Sequence, residues 1–529
     1  MAELIPFLGI DLGTSNSVAA TLDPDGIPVV LRNPLGAELV PSVVSFTPGA
    51  AVVGAEARQL AAVAPESTVA LIKRHMGTER LFEFHGVEHT PESISALILR
   101  AVVDGVAPDR PAAPLPVVVT VPAYFGIRER EATQQAALLA GLNVLELVGE
   151  PVAAALHYGV TTGTVLVYDL GGGTFDATVV RMEPAGPRVV AVDGDMDLGG
   201  ADWDERLRSH LADRFAELTG VEDAADDVAF MTELTDRAER VKRALTSTRS
   251  HEVALRHAGR TARVTVTRDD FEAMTRDLTD STLACLRRLL AKAALTPGDV
   301  TDCLLVGGST RMPMIAEAVG AELGRRPHRH DPELAVAKGA ALRAGQLTGV
   351  VPGWVRPGWA FEAARPEAAT PVAGQPGGAF LSSVVPRSFG LLVHDSADPD
   401  GQRRFVEHVI HQNDALPAAG APLTVATVLD DQATVRMEVY EQAGFVESPE
   451  PADNRRVLDG ELTGLPAGLP AGSPLEVRLR LGLDGRLGLT AREPRSGTEL
   501  RLAAYVDGVL DTAARQQQAK NLANLTVRQ

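Results

Sequence analysis

Two stretches of this chain repeat one pattern, and that repetition limits what it can fold into. The first reads Phe7-Leu8-Gly9-Ile10-Asp11-Leu12-Gly13-Thr14-Ser15-Asn16, and the second reads Leu166-Val167-Tyr168-Asp169-Leu170-Gly171-Gly172-Gly173-Thr174-Phe175-Asp176. Each is an apolar run that ends in Asp-Leu-Gly and passes into small and hydroxyl residues. The apolar run predicts a buried strand. The glycines permit a tight turn and let backbone N–H groups approach a phosphate. An Asp at the strand end can hold Mg²⁺, usually through water. Two such hairpins facing each other would clamp a polyphosphate from both sides. The duplication therefore predicts two halves of similar fold around a cleft.

At 529 residues the chain is long enough for two or more domains, and with 45% hydrophobic residues it can fill large cores. Its formal net charge of −19 argues against nucleic acid and against an anionic membrane as partners. Cys285 and Cys303 are the only cysteines. Two thiols make no disulfide framework, so a reducing cytoplasm is the expected compartment. The first residues lack the features of a signal peptide, and no apolar run reaches the ~18 residues of a membrane span.

Up to residue 347, strand-like runs such as Val117–Val121 and Cys303–Val306 alternate with helical stretches such as Ile127 to Ala140 and Ala335 to Gly345. That alternation predicts an α/β domain with mixed sheets over residues 1–347. Residues 348–380 are dense in Pro and Gly and read as a linker or loosely ordered loop. Over 381–508 the period changes to two, as in Leu475-Glu476-Val477-Arg478-Leu479-Arg480-Leu481. This predicts an antiparallel β sandwich with one wet face. Residues 509–529 form a short polar tail with room for no more than one helix.

Several ordered blocks now resemble the DnaK-like heat-shock protein 70 chaperones of the actin-like ATPase superfamily. They are Gly9–Ser17, Val119–Phe125, Ala140–Asn143, Glu150–Ala155, Asp169–Asp176, Asp197–Asp202 and Val306–Arg311. The resemblance implies a duplicated, ribonuclease-H-like two-lobe ATPase that binds ATP or ADP with Mg²⁺. It implies that Gly13, Thr14, Ser15 and Asn16 contact the β- and γ-phosphates from one lobe, and Gly171, Gly172, Gly173 and Thr174 from the other. Asp11 and Asp169 would hold the metal through water. Lys73, Glu150, Asp169, Thr174 and Asp176 would serve hydrolysis; taken alone, Lys73 reads as a solvated surface lysine. Glu239, Lys242 and Arg243 share one helix face by their i, i+3, i+4 spacing. In isolation that face is a solvated charged one. In the family it meets ribose and adenine, with Thr246 one turn on and Gly307, Gly308, Ser309, Thr310 and Arg311 opposite.

The C-terminal part resembles the family's peptide-binding β sandwich, from Val385-Pro386-Arg387-Ser388-Phe389-Gly390 onward. Leu391 and Val435 fall near peptide-pocket positions, and equally read as sandwich core. Five departures stand out. The family's helical lid should follow the sandwich, and only about 20 residues follow residue 508 in this sequence, so a lidless site is expected. The Pro/Gly insert replaces the acidic, leucine-rich interdomain linker. Glu146 stands where the family usually has a basic residue that helps dock a J-domain co-chaperone. Thr424 replaces an aromatic pocket position. The segment from Thr78 to Leu115 is shortened.

The expected function is an ATP-dependent chaperone that hydrolyses ATP slowly and binds peptide or unfolded-protein clients. J-domain co-chaperones and nucleotide exchange factors are the implied helpers. The alternative is a nucleotide-binding regulator or scaffold of the same family with little turnover.

Overall fold

The computed structural model describes residues 5–350, 384–395, 403–504 and 512–528, apart from 62, 109–112, 161, 184–185, 445, 483–486 and 524. The Pro/Gly-rich stretch from 351, with Trp354 and Trp359, lies outside the described residues, as does the expected Asp484-Gly485 turn.

Each duplicated motif forms a hairpin at the centre of a sheet. Leu8–Leu12 pairs antiparallel with Asn16–Leu22 and parallel with Pro116–Val121, which in turn runs parallel to Asn143–Gly149. Gly163–Leu170 pairs antiparallel with Phe175–Glu183 and parallel with Asp302–Val306. The two halves thus share a local topology, a hairpin whose first strand carries a parallel neighbour. Residues on these strands are buried on both faces, which is why they read as continuous apolar runs. Pro122 follows directly on the strand Pro116–Val121.

Two helices join the halves at their base. Glu150–Tyr158 begins at Gly149 with Pro151 in its first turn, where a missing N–H costs nothing, and ends at the left-handed Gly159. Ala335–Leu347 crosses it so closely that a Cβ on Gly339 would lie 1.8 Å from the Ala153 carbonyl oxygen. Around this crossing one apolar core takes Phe7, Val118 and Val148 from the first sheet and Val165, Val167 and Leu304 from the second. Each half also has its own core, one around Trp203, Phe215 and Leu286, the other around Phe46, Leu97 and Tyr124.

Beyond residue 384 the strands are antiparallel throughout. One sheet runs in the order Arg404–Ile410, Phe389–His394, Thr434–Gln442, Asn454–Thr463, and the other contains Pro474–Leu481, Leu487–Arg492 and Glu499–Ala504. Phe389, Val439, Leu462, Leu475 and Leu489, drawn from both sheets, share one core. Pro474–Leu481 alternates exposed and buried along its whole length, as its period of two predicts.

The tail differs from its reading as at most a helix. Thr512–Ala523 is helical, and Thr526–Arg528 then pairs in parallel with Ala50–Val53 of the first half. A three-residue strand has too few positions to show a period, so no local pattern signals it. Among the described residues no helix is long and apolar enough to cross a membrane.

Candidate functional site

The glycine loops of the two hairpins meet face to face. A Cβ on Gly172 would lie 1.9 Å from Ser15 Oγ, and one on Gly173 would lie 2.3 Å from Thr14 Cγ2. Only residues without side chains allow this approach. The second loop is anchored from behind: the Gly171 carbonyl accepts from Ser309 Oγ at 2.8 Å and from the Gly200 N–H at 2.9 Å. The Gly173 carbonyl accepts from Arg74 Nε at 2.7 Å. The first loop is held by Ser42, whose Oγ donates to the Gly13 carbonyl at 2.8 Å. Next to the second loop, Gly307 has φ of +83°, and a Cβ there would press on the Leu170 carbonyl and the Asp169 carboxylate.

Between the loops and the helix Val228–Ser247 lies a cavity of about 740 Å³. Asp11, Gly13, Thr14, Ser15, Asn16, Lys73, Glu150, Asp169, Gly171, Gly172 and Thr174 line its floor. Glu239, Lys242, Arg243, Thr246, Gly307, Gly308, Ser309 and Arg311 line its other end. Three expected residues stand behind this wall. Asp176 is buried, its Oδ2 accepting from the Ala123 N–H at 2.7 Å. Gly173 supports the loop contact with Thr14. Thr310 is fully buried, and its hydroxyl donates to the Gly307 carbonyl at 2.7 Å, closing the turn.

The floor is crowded with acids. Lys73 Nζ lies 2.6 Å from Glu150 Oε1, and Lys73 is only 6% exposed. Burial alone would lower its pKa, but the charges of Glu150 and Asp11 hold it above the usual lysine value. It is therefore no solvated surface lysine. Asp11 is pushed up to about 6 by burial and then by the Glu150 charge, although Thr120 Oγ1 donates to it at 2.8 Å. Burial and the Glu150 charge push Asp176 up to about 8. Asp169 is raised as well, by burial and then by Glu150, Asp176 and Asp11. Asp176 Oδ1 has no hydrogen-bond partner among the described residues. One lysine cannot compensate four buried carboxylates, so burial and mutual repulsion disfavour the charged forms of Asp11, Asp169 and Asp176, and a divalent cation beside them would restore the balance. Among the described residues no three His, Cys, Asp or Glu side chains converge as a direct metal cage. Such a donor set suits a cation held through water rather than by a full protein shell.

The far end is polar and mostly paired. Lys242 Nζ donates to Asp204 Oδ2 at 2.6 Å and to the Gly200 carbonyl at 2.9 Å. Arg243 pairs with Glu239 at 2.6 Å, and Arg311 with Glu333 at 3.0 Å. Glu239 also meets Arg58 Nη2 at 2.8 Å, from the opposite side of the cleft. Arg58, Arg74, Ser42, Thr120, Asp204 and Glu333 were missed by sequence reasoning. Only distant chain segments bring them to the site, and no local spacing signals them.

Comparison with known proteins settles the family. Residues 7–83 and 79–354 match the family profile described as Hsp70 protein. The chain belongs to the Hsp70 family. It is 35% identical over 501 residues to "Chaperone protein DnaK" of Halobacterium salinarum, covering 93% of this chain and 73% of that one. It is 34% identical over 513 residues to "Chaperone protein DnaK" of Thermotoga petrophila, covering 94% of this chain and 80% of that one.

In this Hsp70-family chain the other candidates lie outside the cavity. Leu391 is buried in the core between the two C-terminal sheets, and Val435 is half-buried against that core. Thr424 sits in the strand Leu423–Ala426, opposite Glu476. Glu146 is buried and ion-paired with Arg343 at 2.8 Å. Its reversed charge is thus neutralised within the chain.

Proposed function

We propose that this Hsp70-family chain is a Mg²⁺-dependent ATP-binding chaperone. Its ATPase spans residues 1–347, with the duplicated, actin-like architecture. Residues 381–508 form a client-binding β sandwich, and 348–380 connect the two. The observation that carries this reading is the closure of Gly172 on Ser15 and of Gly173 on Thr14 above an acidic floor. A triphosphate gripped there would meet N–H groups of Gly13, Thr14, Ser15 and Asn16 on one side and of Gly171, Gly172, Gly173 and Thr174 on the other. Asp11 and Asp169 would hold Mg²⁺ through water, and the ion would neutralise phosphate charge. Lys73, with Glu150 and Asp176 behind it, would orient the attacking water, and the Thr174 hydroxyl would face the phosphates. The water oxygen bonds to the γ-phosphorus, the bond to the bridging oxygen breaks, and ADP and inorganic phosphate leave. Glu239, Lys242, Arg243, Thr246, Ser309 and Arg311 would receive the nucleoside, its base stacked between the two arginine stems.

Titration of the full chain with ADP and Mg²⁺ in a calorimeter tests the binding. A sigmoidal heat curve is expected, and no heat at millimolar nucleotide overturns the reading. Turnover is tested with Lys73→Ala, for which a fall of about 100-fold is expected, the scale of removing one electrostatic stabiliser. Client binding is tested with an extended apolar peptide, whose affinity should differ between the ADP- and ATP-loaded protein.

A second reading, a nucleotide-held regulator, is favoured by the buried Arg387–Glu129 contact that ties the C-terminal sheets to the ATPase body. Equal, negligible turnover for wild type and Lys73→Ala, with nucleotide heat retained, would select it.

A further inference from the structure

The strand Ala50–Val53 would be the outer edge of its sheet if residues 512–528 were absent, because its other neighbour is Val44–Thr47. An open edge is a template for pairing with another segment. Here Thr526, Val527 and Arg528 lie in register with Ala50, Ala51 and Val52, and the Thr526 N–H donates to the Gly49 carbonyl at 3.2 Å. The preceding helix packs against Pro91–Val106 and Ile127–Leu139. Leu522 is 1% exposed and belongs to the first half's core, with Leu525 and Val527 packed at its margin. Gln518 Nε2 and Asn521 Nδ2 both donate to the Glu88 carbonyl, at 3.2 and 3.3 Å, and Arg100 Nη1 donates to the Leu522 carbonyl. The segment contributes anchors and backbone pairing, the two elements of strand-addition recognition.

We propose that the Ala50–Val53 edge and the crease between these two helices form a peptide-docking site on the ATPase body. The chain's own residues 512–528 are its resident, displaceable ligand. The site recognises a short polar helix followed by a strand, with apolar anchors at Leu522, Leu525 and Val527. It is separate from the cavity and needs no nucleotide. In the intact chain the covalent connection makes docking of the segment intramolecular, which shields the site from competitors.

A full-length protein with a specific protease site placed within 505–511 tests this. After cutting, residues 512–529 should co-elute with the body on gel filtration. A fluorescent synthetic peptide of 512–529 should then exchange into the nicked protein. It should enter the intact protein far less, and the same peptide with Leu522→Asp should bind at least about tenfold more weakly. Immediate loss of the cut segment, equal binding of both peptides, or equal uptake by nicked and intact protein would each overturn the proposal. Should the inserted site prevent folding, Leu522→Asp in the intact chain gives a second reading. Amide exchange at Ala51 to Val53 should rise at least about tenfold while Phe175–Glu183 stays protected. Unchanged exchange at Ala51 to Val53 would sink the docking site.

Discussion

Arg387 Nη1 lies 3.0 Å from Glu129 Oε1, with both side chains almost wholly buried where the C-terminal sheets meet the helix Ile127–Leu139 of the first half. Arg455 Nη1 approaches the same oxygen at 2.5 Å, and Arg387 Nε donates to the Tyr124 carbonyl at 3.1 Å. The opposite charges hold the Glu129 carboxyl below its usual pKa even though burial pushes the other way. Breaking a buried pair outright costs about 3–5 kcal/mol, and here Arg455, itself partly exposed, would remain as the one partner of Glu129, which places the cost at the lower end. Arg387→Met should therefore lower the urea stability of the full chain by about 3 kcal/mol. A midpoint equal to wild type would mean that the junction is open in solution.

Arg58 and Glu239 face each other across the cleft at 2.8 Å, each partly exposed. Their side chains come from opposite sides of the cleft, so under the proposed function the pair would have to break before a nucleotide leaves. Exposed pairs are worth about 0.2–1 kcal/mol, or roughly 1.4- to 5-fold in rate. Arg58→Ala should speed release of a fluorescent ADP analogue by about that factor, and less so at high salt. Release at an unchanged rate in low salt would count against a closing role for the pair.

The hairpins, their strands and the acids at their ends were legible because each depends on residues adjacent in sequence. Asp11, Asp169 and the loop glycines needed no tertiary information. Lys73 was not legible in this way. Its local sequence suggests a solvated lysine, and only resemblance pointed to the floor, where Glu150, 77 positions away, is its partner. Arg58 and Glu333 were invisible because their roles arise from pairing across the cleft. Leu391 shows the converse limit, since an alternating strand tells which residues face inward but not whether the inside is a core or a pocket. The tail strand escaped notice because a three-residue pairing is chosen by the edge it meets rather than by its own propensity.

His411 Nδ1 lies 2.9 Å from Glu447 Oε2, and Ser388 Oγ donates to the same oxygen at 2.8 Å. The hydrogen bond to Glu447 raises the His411 pKa above 6.5, with Asp414 and Glu407 adding to it. The bonds from His411 and Ser388, with the nearby His408, outweigh burial and hold Glu447 below 4.5. A raised His stabilises the fold fully below its unfolded pKa, and that support fades as pH rises through the folded value. A depressed Glu stabilises above its unfolded pKa, and that support is lost as pH falls. The pair therefore contributes most between pH 4.5 and 6.5. Both groups are about half exposed, so the contribution is below about 1 kcal/mol. His411→Ala should cost about 0.5 kcal/mol in urea unfolding near the middle of that window and close to nothing near pH 9. An equal cost at both pH values would reassign His411 to packing alone.

Gly339 is where the two halves are held closest, and replacing it tests whether that crossing sets the floor of the cavity. A Cβ there would lie 1.8 Å from the Ala153 carbonyl oxygen and 2.4 Å from the carbonyl carbon. Both are backbone atoms of the neighbouring helix, so no side-chain rotation relieves the clash, and the helices must separate. Overpacking of this kind costs about 3 kcal/mol or more. The helix that must move begins at Glu150, three residues before Ala153, so Lys73 would lose its 2.6 Å partner as well. Gly339→Ala should therefore lower thermal stability and nucleotide turnover together. Gly320 provides the contrast, because a Cβ there would meet only atoms at ordinary contact, 3.4 Å and beyond. In the helix Pro313–Leu323 that same change should stabilise by about 0.5–1 kcal/mol, the difference in helix propensity between Ala and Gly. Opposite signs for these two identical substitutions, read by thermal unfolding, are the expected result. If Gly339→Ala is neutral, the crossing is looser than 1.8 Å implies and Glu150 is positioned by something other than this helix contact.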